Sequence, residues 1–122
     1  MNTTARSIAF TAALLSLLAV VLGALGSHLV EMDGLQGTWE IATDLHLFNA
    51  AALIGLAVLY AKTGSNLLKW GAWIIILGTV LFSGSIYLHV ITAYKVTNLA
   101  PIGGITMMAG WLLAVLSFVR KS

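Results

Sequence analysis

Apolar residues run along the chain in four long segments separated by short polar stretches. The segments cover about residues 8–29, 39–61, 70–91 and 101–119. Each holds about 20 residues, enough to cross the ~30 Å hydrocarbon core of a bilayer. Continuous apolar runs without strict alternation indicate helices rather than barrel strands. The pattern therefore predicts an all-α integral membrane protein, in which residues 1–122 form one bundle of four transmembrane helices.

The start of the second segment is polar but compatible with a helix. Its apolar run is continuous only from Leu45. Thr38 is a suitable N-cap, and Glu40 and Asp44 would then lie in the first turns, where the helix dipole favours negative charge. We therefore expect the second helix to begin near residue 39.

Basic residues predict the orientation of the bundle. In an antiparallel bundle, five of the six basic residues would lie at one end and only Lys95 at the other. The five are Arg6, Lys62, Lys69, Arg120 and Lys121. The positive-inside rule then places both termini in the cytoplasm, with the first and third loops outside. Since the basic residues are scattered singly at segment ends, they serve topology, and we expect no nucleic-acid partner.

Composition narrows the possible chemistry. Charged residues make up 8% of the chain, against about 25% in soluble domains, so a water-exposed domain is excluded. There is no cysteine, which excludes disulfides, thiolate metal sites and cysteine nucleophiles.

One polar stretch, "SHLVEMDGLQGTWEIATDLH", holds all four acidic residues and two of the three histidines. His28 would end the first helix, His46 would lie near the outer start of the second, and His89 near the outer end of the third. We therefore expect all three at one membrane level. Together with Glu40 and Asp44 they are a candidate outer-face polar cluster, because imidazole and carboxylate groups suit zinc or copper.

Two interpretations of this cluster stay open. The histidines are either hydrated polar anchors, or parts of a weak metal-binding or proton-responsive vestibule. Asp44 and His46 are two residues apart, about 200° around a helix, so they would face opposite ways. We therefore expect no strong metal site and no resident cofactor.

Small residues mark candidate helix-packing faces, because they let helix backbones approach closely in lipid. They lie on the second, third and fourth helices at Ala51, Gly55, Gly84, Gly103, Gly110 and Ala114. Those on the fourth helix recur together with Met107 at helical spacing. Both ordinary bundle packing and a dedicated dimer face are compatible with this pattern.

A catalytic set is absent from the pattern. Ser85 has His89 one turn later, but the third helix offers no acid to orient that base. No charged residue lies in the middle of a span, as a proton or ion relay would require. We therefore expect a non-enzymatic protein of the bilayer that acts by helix association, as an accessory subunit, an assembly factor or a homo-oligomer. The alternative is a small-molecule or lipid-binding or transport protein with an outer-face polar vestibule.

Three motifs together resemble a known family. They are "GALGSH" from Gly23, "LGTVLFSGSIYL" from Leu77 and "APIGGITMMAGWLL" from Ala100. The chain is similar along nearly its whole length to the small bacterial membrane proteins of domain of unknown function 423, whose eukaryotic relatives form the transmembrane protein 256 group. The resemblance implies a four-helix protein of the bacterial inner membrane, and it brings no biochemical role with it.

The chain departs from the family pattern at three positions, the first of which is Ser27, where the family commonly has alanine. The resemblance implies a histidine early in the second helix, where this chain has Asn49, and His46 lies one turn before it. The threonine usual before the proline is Ala100 here, which removes an N-cap worth about 1 kcal/mol. His28 keeps the family's histidine.

Overall fold

The computed structural model describes residues 2–28, 36–92 and 98–119, except for the side chains at positions 27, 28 and 36. It contains four helices in this part of the chain: α1 (Thr3–His28), α2 (Gln36–Thr63), α3 (Asn66–Thr92) and α4 (Leu99–Val119). Each helix is long and apolar enough to cross a membrane. The predicted all-α fold with four candidate spans that pack together is confirmed.

The helices begin earlier than the apolar pattern suggests, because polar residues cap them outside the apolar runs. The side-chain oxygen of Asn2 accepts a hydrogen bond of 2.7 Å from the backbone N–H of Ala5, at the start of α1. Ser65 caps α3 in the same way by accepting from Leu68 N–H at 3.3 Å. The prediction that Thr38 caps the second helix is wrong, since α2 already begins at Gln36.

The connection between α2 and α3 is a tight turn that needs glycine. Gly64 has a φ of 65°, in the left-handed region. Its N–H donates to the carbonyl of Tyr60 at 2.8 Å, which satisfies one of the free carbonyls at the end of α2. The two helices therefore run antiparallel with almost no linker.

The four helices pack around a central pair, α2 and α3. Helix α1 packs on α2, α4 packs on α3, and α1 touches α3 only slightly. Among the described residues, no Cα atom of α4 lies within 8 Å of one in α1 or α2. Two clefts therefore open along the sides of the bundle, one between α1 and α3 and the other between α2 and α4.

Glycines bring α3 and α4 into backbone contact. A Cβ atom placed on Gly78 would lie 2.5 Å from the backbone nitrogen of Met107, and one on Gly71 would lie 2.9 Å from the carbonyl oxygen of Gly110. A Cβ atom on Gly103 would overlap the backbone of Phe82. Since any larger residue would push the helices apart, these glycines set the distance between α3 and α4.

Candidate functional site

The structure separates the predicted outer-face cluster. Glu40 and Asp44 are exposed on α2, whereas His46, on the same helix, is 4% exposed and faces the interior. His89 is partly exposed in the last turn of α3. His28 ends α1, and its side chain lies outside the described part of the structure. Within the described residues, no three His, Asp or Glu side chains lie where they could share a metal ion.

His46 also lies deeper in the bundle than the sequence suggests. The indole Nε1 of Trp39 donates to the carbonyl of Leu22 at 3.1 Å, which aligns the start of α2 with the last turns of α1. Two turns further along α2, His46 lies beside Leu15 of α1. Leu15 and the end of α1 at His28 are about 20 Å apart along the helix axis. The expectation of one common level is therefore wrong for His46, because α2 begins well before its apolar run.

Gly26, in the "GALGSH" motif, allows this alignment. The Trp39 indole lies against Gly26 so closely that a Cβ atom there would overlap the ring. Trp39 is 2% exposed and its ring centroid lies 4.9 Å from that of Tyr87. The end of α1, the start of α2 and the end of α3 are thus joined through one buried indole.

The principal polar contact of His46 is with Tyr87 on α3. Its Nδ1 atom lies 2.9 Å from the Tyr87 hydroxyl, and both side chains are buried. Ser83, whose own proton goes to the carbonyl of Ala42, also interacts with the Tyr87 hydroxyl, so the phenolic proton has two acceptors within reach, His46 Nδ1 and Ser83 Oγ. A neutral imidazole that accepts at Nδ1 carries its own proton at Nε2. His46 is therefore a hydrogen-bond donor at Nε2 when Tyr87 donates to Nδ1, and an acceptor at Nε2 when Tyr87 donates to Ser83.

The Nε2 atom of His46 has no hydrogen-bond partner in the described part of the protein. The backbone of Leu15 lies close enough to interact with the ring, but no group meets hydrogen-bond geometry with Nε2. A buried unsatisfied donor costs about 1–3 kcal/mol. His46 lines the cleft between α1 and α3, which has a volume of about 170 Å³.

A second polar contact joins α2 to α4 across the other cleft. Asn49 is 2% exposed. Its Nδ2 lies 2.7 Å from the Met107 sulfur, and its Oδ1 accepts from the indole Nε1 of Trp111 at 2.9 Å. The indole can only donate, which fixes the orientation of the amide. Asn49 therefore provides a side-chain bridge where the two backbones do not meet.

The cleft beside this bridge is larger and apolar. It has a volume of about 430 Å³, and Phe48, Phe82, Met108 and Trp111 are among its lining residues. Asn49, the residue at which the chain departs from the family's histidine, lies at its base. The sequence offered one signal for this residue, namely an amide in the middle of an apolar run.

The predicted packing residues fall into two groups. Gly103, Gly110 and Ala114 are buried against α3. In contrast, Ala51 and Gly55 lie on the exposed face of α2, and Gly84 is partly exposed on α3. A Cβ atom on Gly55 or Gly84 would meet nothing within 4 Å. The bundle therefore uses the small residues of α4 and leaves those of α2 uncovered.

Three serine and threonine hydroxyls of α3 donate hydrogen bonds to backbone carbonyls. Ser83 donates to the carbonyl of Ala42 on α2 at 2.8 Å, and Thr79 donates to Ile75 within α3 at 2.8 Å. Ser85, which the sequence places one turn before His89, donates to its own helix at Phe82, at 2.9 Å. Its proton is thus held by α3 rather than shared with a base.

Comparison with known proteins gives one family. A family model described as "Protein of unknown function (DUF423)" matches residues 22–104. A UPF0382 membrane protein of Staphylococcus haemolyticus is 34% identical over 109 residues, covering 86% of this chain and 88% of the relative. The UPF0382 inner membrane protein YgdD of Escherichia coli K12 is 31% identical over 121 residues, covering 96% and 92%. No solved structure matches the chain.

Proposed function

We propose a function on the premise that the chain belongs to the DUF423 family of membrane proteins. The family model and the relatives confirm the resemblance drawn from the three motifs. We infer that the protein acts without catalysis, by associating through α2 with helices of another chain in the membrane. The partner we propose is a second copy, so that the working unit is a homo-oligomer.

The observation that carries this proposal is the uncovered pair Ala51 and Gly55. Small residues four apart on a transmembrane helix let a second backbone approach closely. Both face away from the protein's own bundle, and a Cβ atom on Gly55 would meet nothing within 4 Å. The comparable glycines of α4 are already covered by α3. A close-approach surface therefore remains on α2 with no partner among the described helices.

The residues around this pair suit a second copy of the same face. Ile54 and Val58, which are 41% and 43% exposed, flank Gly55 with apolar side chains. Every copy inserts with the same orientation, so a two-fold axis along the membrane normal pairs two α2 helices in parallel. Ala51 and Gly55 would then meet their own counterparts, as the self-complementary surface of a two-fold dimer requires.

Support for a non-enzymatic role comes from Ser85. The sequence places it one turn before His89, and its hydroxyl is bonded to the carbonyl of Phe82 in its own helix. Activation by a base would need that proton to face the base instead.

We place the protein in the inner membrane, with both termini in the cytoplasm. The relative in Escherichia coli is described as an inner membrane protein. Arg6 near the start of α1, Lys62 at the end of α2 and Lys69 at the start of α3 lie at the same end of the antiparallel bundle. This basic end is the cytoplasmic one under the positive-inside rule.

Mass measurement of the protein in native lipid particles tests the association. We expect the wild type to form a dimer or a larger homo-oligomer. The Gly55→Leu variant should be monomeric, because the larger side chain keeps the second backbone away. Gly23→Leu on α1 is the matched control, since a Cβ atom there also meets nothing within 4 Å, and it should keep the wild-type mass. A monomeric wild type, or an unchanged mass in Gly55→Leu, would refute the proposal.

A further inference from the structure

The cleft between α1 and α3 has the features of a small binding site. It is walled by apolar residues, including Leu18, Leu22 and Val80, and His46 and Tyr87 also line it. We propose that this cleft binds a lipid-soluble ring compound of the quinone type, whose carbonyl oxygen accepts a hydrogen bond from His46 Nε2. This binding is independent of association through α2 and includes no redox step.

His46 is the residue of the cleft that has a hydrogen-bond proton to offer. The hydroxyl protons of Thr79 and Ser83 are taken by backbone carbonyls. In the proposed arrangement Tyr87 donates its proton to His46 Nδ1 rather than to Ser83. The Nε2 proton has no acceptor in the described part of the chain. An acceptor without a proton, such as a carbonyl oxygen, is the complementary group. The imidazole is 4% exposed, so the donor is sheltered from competing water.

The volume of the cleft fits the carbonyl-bearing ring of such a compound, and a second fused ring would extend toward the lipid. The cleft measures about 170 Å³, and an apolar cavity of about 150 Å³ is known to hold benzene. Gly84 contributes to this space, because a Cβ atom there would meet nothing within 4 Å. Leu18 and Val80, which are 43% and 51% exposed, form the outer wall. A ring from the lipid would enter between them by moving these side chains.

The depth of His46 favours a diffusing ring over the ester group of a bilayer lipid. His46 lies about 15 Å from the start of α2, a helix about 42 Å long, and thus about 6 Å from its midpoint. Lipid ester carbonyls lie at the edge of the ~30 Å hydrocarbon core, about 15 Å from its centre. The carbonyl of a ring compound dissolved in the bilayer can reach the depth of His46. A lipid ester held at the interface lies too far from His46.

Binding of menadione to the protein in lipid nanodiscs tests this proposal, with empty nanodiscs correcting for partition into lipid. We expect saturable binding at one site per chain. His46→Phe keeps a ring but removes the donor, and should weaken binding about tenfold, the effect of losing about 1.4 kcal/mol. His46→Gln, which restores an N–H donor, should recover part of the affinity. 2-Methylnaphthalene, which has no carbonyl, should bind at least tenfold more weakly than menadione.

Two glycine variants show which cleft is used. Gly84→Leu fills the cleft between α1 and α3 and should weaken menadione binding at least as much as His46→Phe. Gly104→Leu is the matched control in the other cleft, where a Cβ atom meets Phe82 Cδ1 at an ordinary 3.9 Å, and it should bind within about twofold of the wild type. Thermal unfolding of each variant verifies its fold.

Three results would overturn the proposal. The first is an absence of saturable menadione binding, which would leave water as the partner of Nε2. The second is a folded His46→Phe or Gly84→Leu variant that binds as the wild type does. The third is tighter binding of methyl oleate than of menadione, which would assign the cleft to an acyl ester. None of these results depends on the oligomeric state, so the Gly55→Leu experiment remains a separate test.

Discussion

The indole of Trp111 on α4 donates a hydrogen bond of 2.9 Å to the side-chain oxygen of Asn49 on α2. The two residues join helices whose Cα atoms stay more than 8 Å apart in the described structure. Met107 adds a second contact to the same amide. The position of α4 relative to α2 therefore depends on one buried asparagine as well as on the α3–α4 contact.

Trp111→Phe tests this bridge. The change keeps an aromatic ring in the cleft and removes the indole N–H, leaving Asn49 Oδ1 without its donor. We expect the free energy of unfolding to fall by about 0.6–1.7 kcal/mol, the range measured for hydrogen bonds between transmembrane helices. Unfolding by sodium dodecyl sulfate in mixed micelles measures the change. Trp70→Phe, at a side chain that is 56% exposed, should have little effect; an equal loss in both variants would contradict the assignment.

Gly103→Ala should separate α3 from α4. The added methyl group would overlap the backbone of Phe82, and overpacking of this kind costs about 1–3 kcal/mol. The same unfolding assay measures the loss. Gly84→Ala is the control on the facing helix, where the methyl group meets nothing within 4 Å. It should be neutral or stabilising, since alanine favours a helix by up to about 1 kcal/mol over glycine. A neutral Gly103→Ala would mean that the helices are not in backbone contact.

Tyr87→Phe should change which ring nitrogen of His46 carries the proton. Without the phenolic proton, Nδ1 loses its partner and nothing holds the proton on Nε2. Nitrogen NMR of the ¹⁵N-histidine-labelled protein distinguishes the two tautomers. We expect His46 to carry its proton at Nε2 in the wild type and to show a mixture of tautomers in the variant. A wild-type signal with the proton on Nδ1 would reverse the direction of the Tyr87 hydrogen bond.

Single cysteines test the orientation in the membrane. Asn66→Cys lies in an exposed position at the start of α3, and Asn98→Cys lies in an exposed position before α4. In cells with a permeabilised outer membrane, an impermeant thiol reagent should label the cysteine at 98 and not the one at 66. Position 65, directly before Asn66, is less suitable for the cysteine, because the Ser65 side chain is only 6% exposed. The reverse labelling would place both termini outside.

The sequence predicts the four helices well because hydropathy alone identifies segments of this length. It misplaces the start of α2, since Gln36 and Gly37 are polar or small and lie outside the apolar run. The contacts of His46 and Asn49 could not be predicted, because a helix that is apolar on all sides does not show which face its neighbour covers. The rotation of α2 that points His46 to Tyr87, and Asn49 to Trp111, is visible only in the packed bundle.

The small residues are a second case in which the sequence does not show which helix face is covered. Spacing marks both the Ala51–Gly55 pair and the Gly103–Gly110 pair as close-approach surfaces, and it does not tell which one the bundle covers. The structure buries Gly103 and Gly110 against α3 and leaves Gly55 open. Spacing also does not select Gly71 and Gly78, the glycines of α3 that complete the contact.

Disulfide cross-linking in the membrane tests the association through α2 most directly. The chain has no cysteine of its own, so a single introduced cysteine can form a disulfide only with another chain. Two cysteines can bridge when their Cα atoms lie about 4.4–6.8 Å apart, as they would where two α2 helices meet. Ala51→Cys is compared with Phe10→Cys, a position on α1 that is 69% exposed and at similar depth, because Leu15 lies beside His46 in the antiparallel pair. We expect a cross-linked dimer for Ala51→Cys and a monomer for Phe10→Cys. A monomer at both positions, or equal amounts of dimer at both, would contradict association through α2.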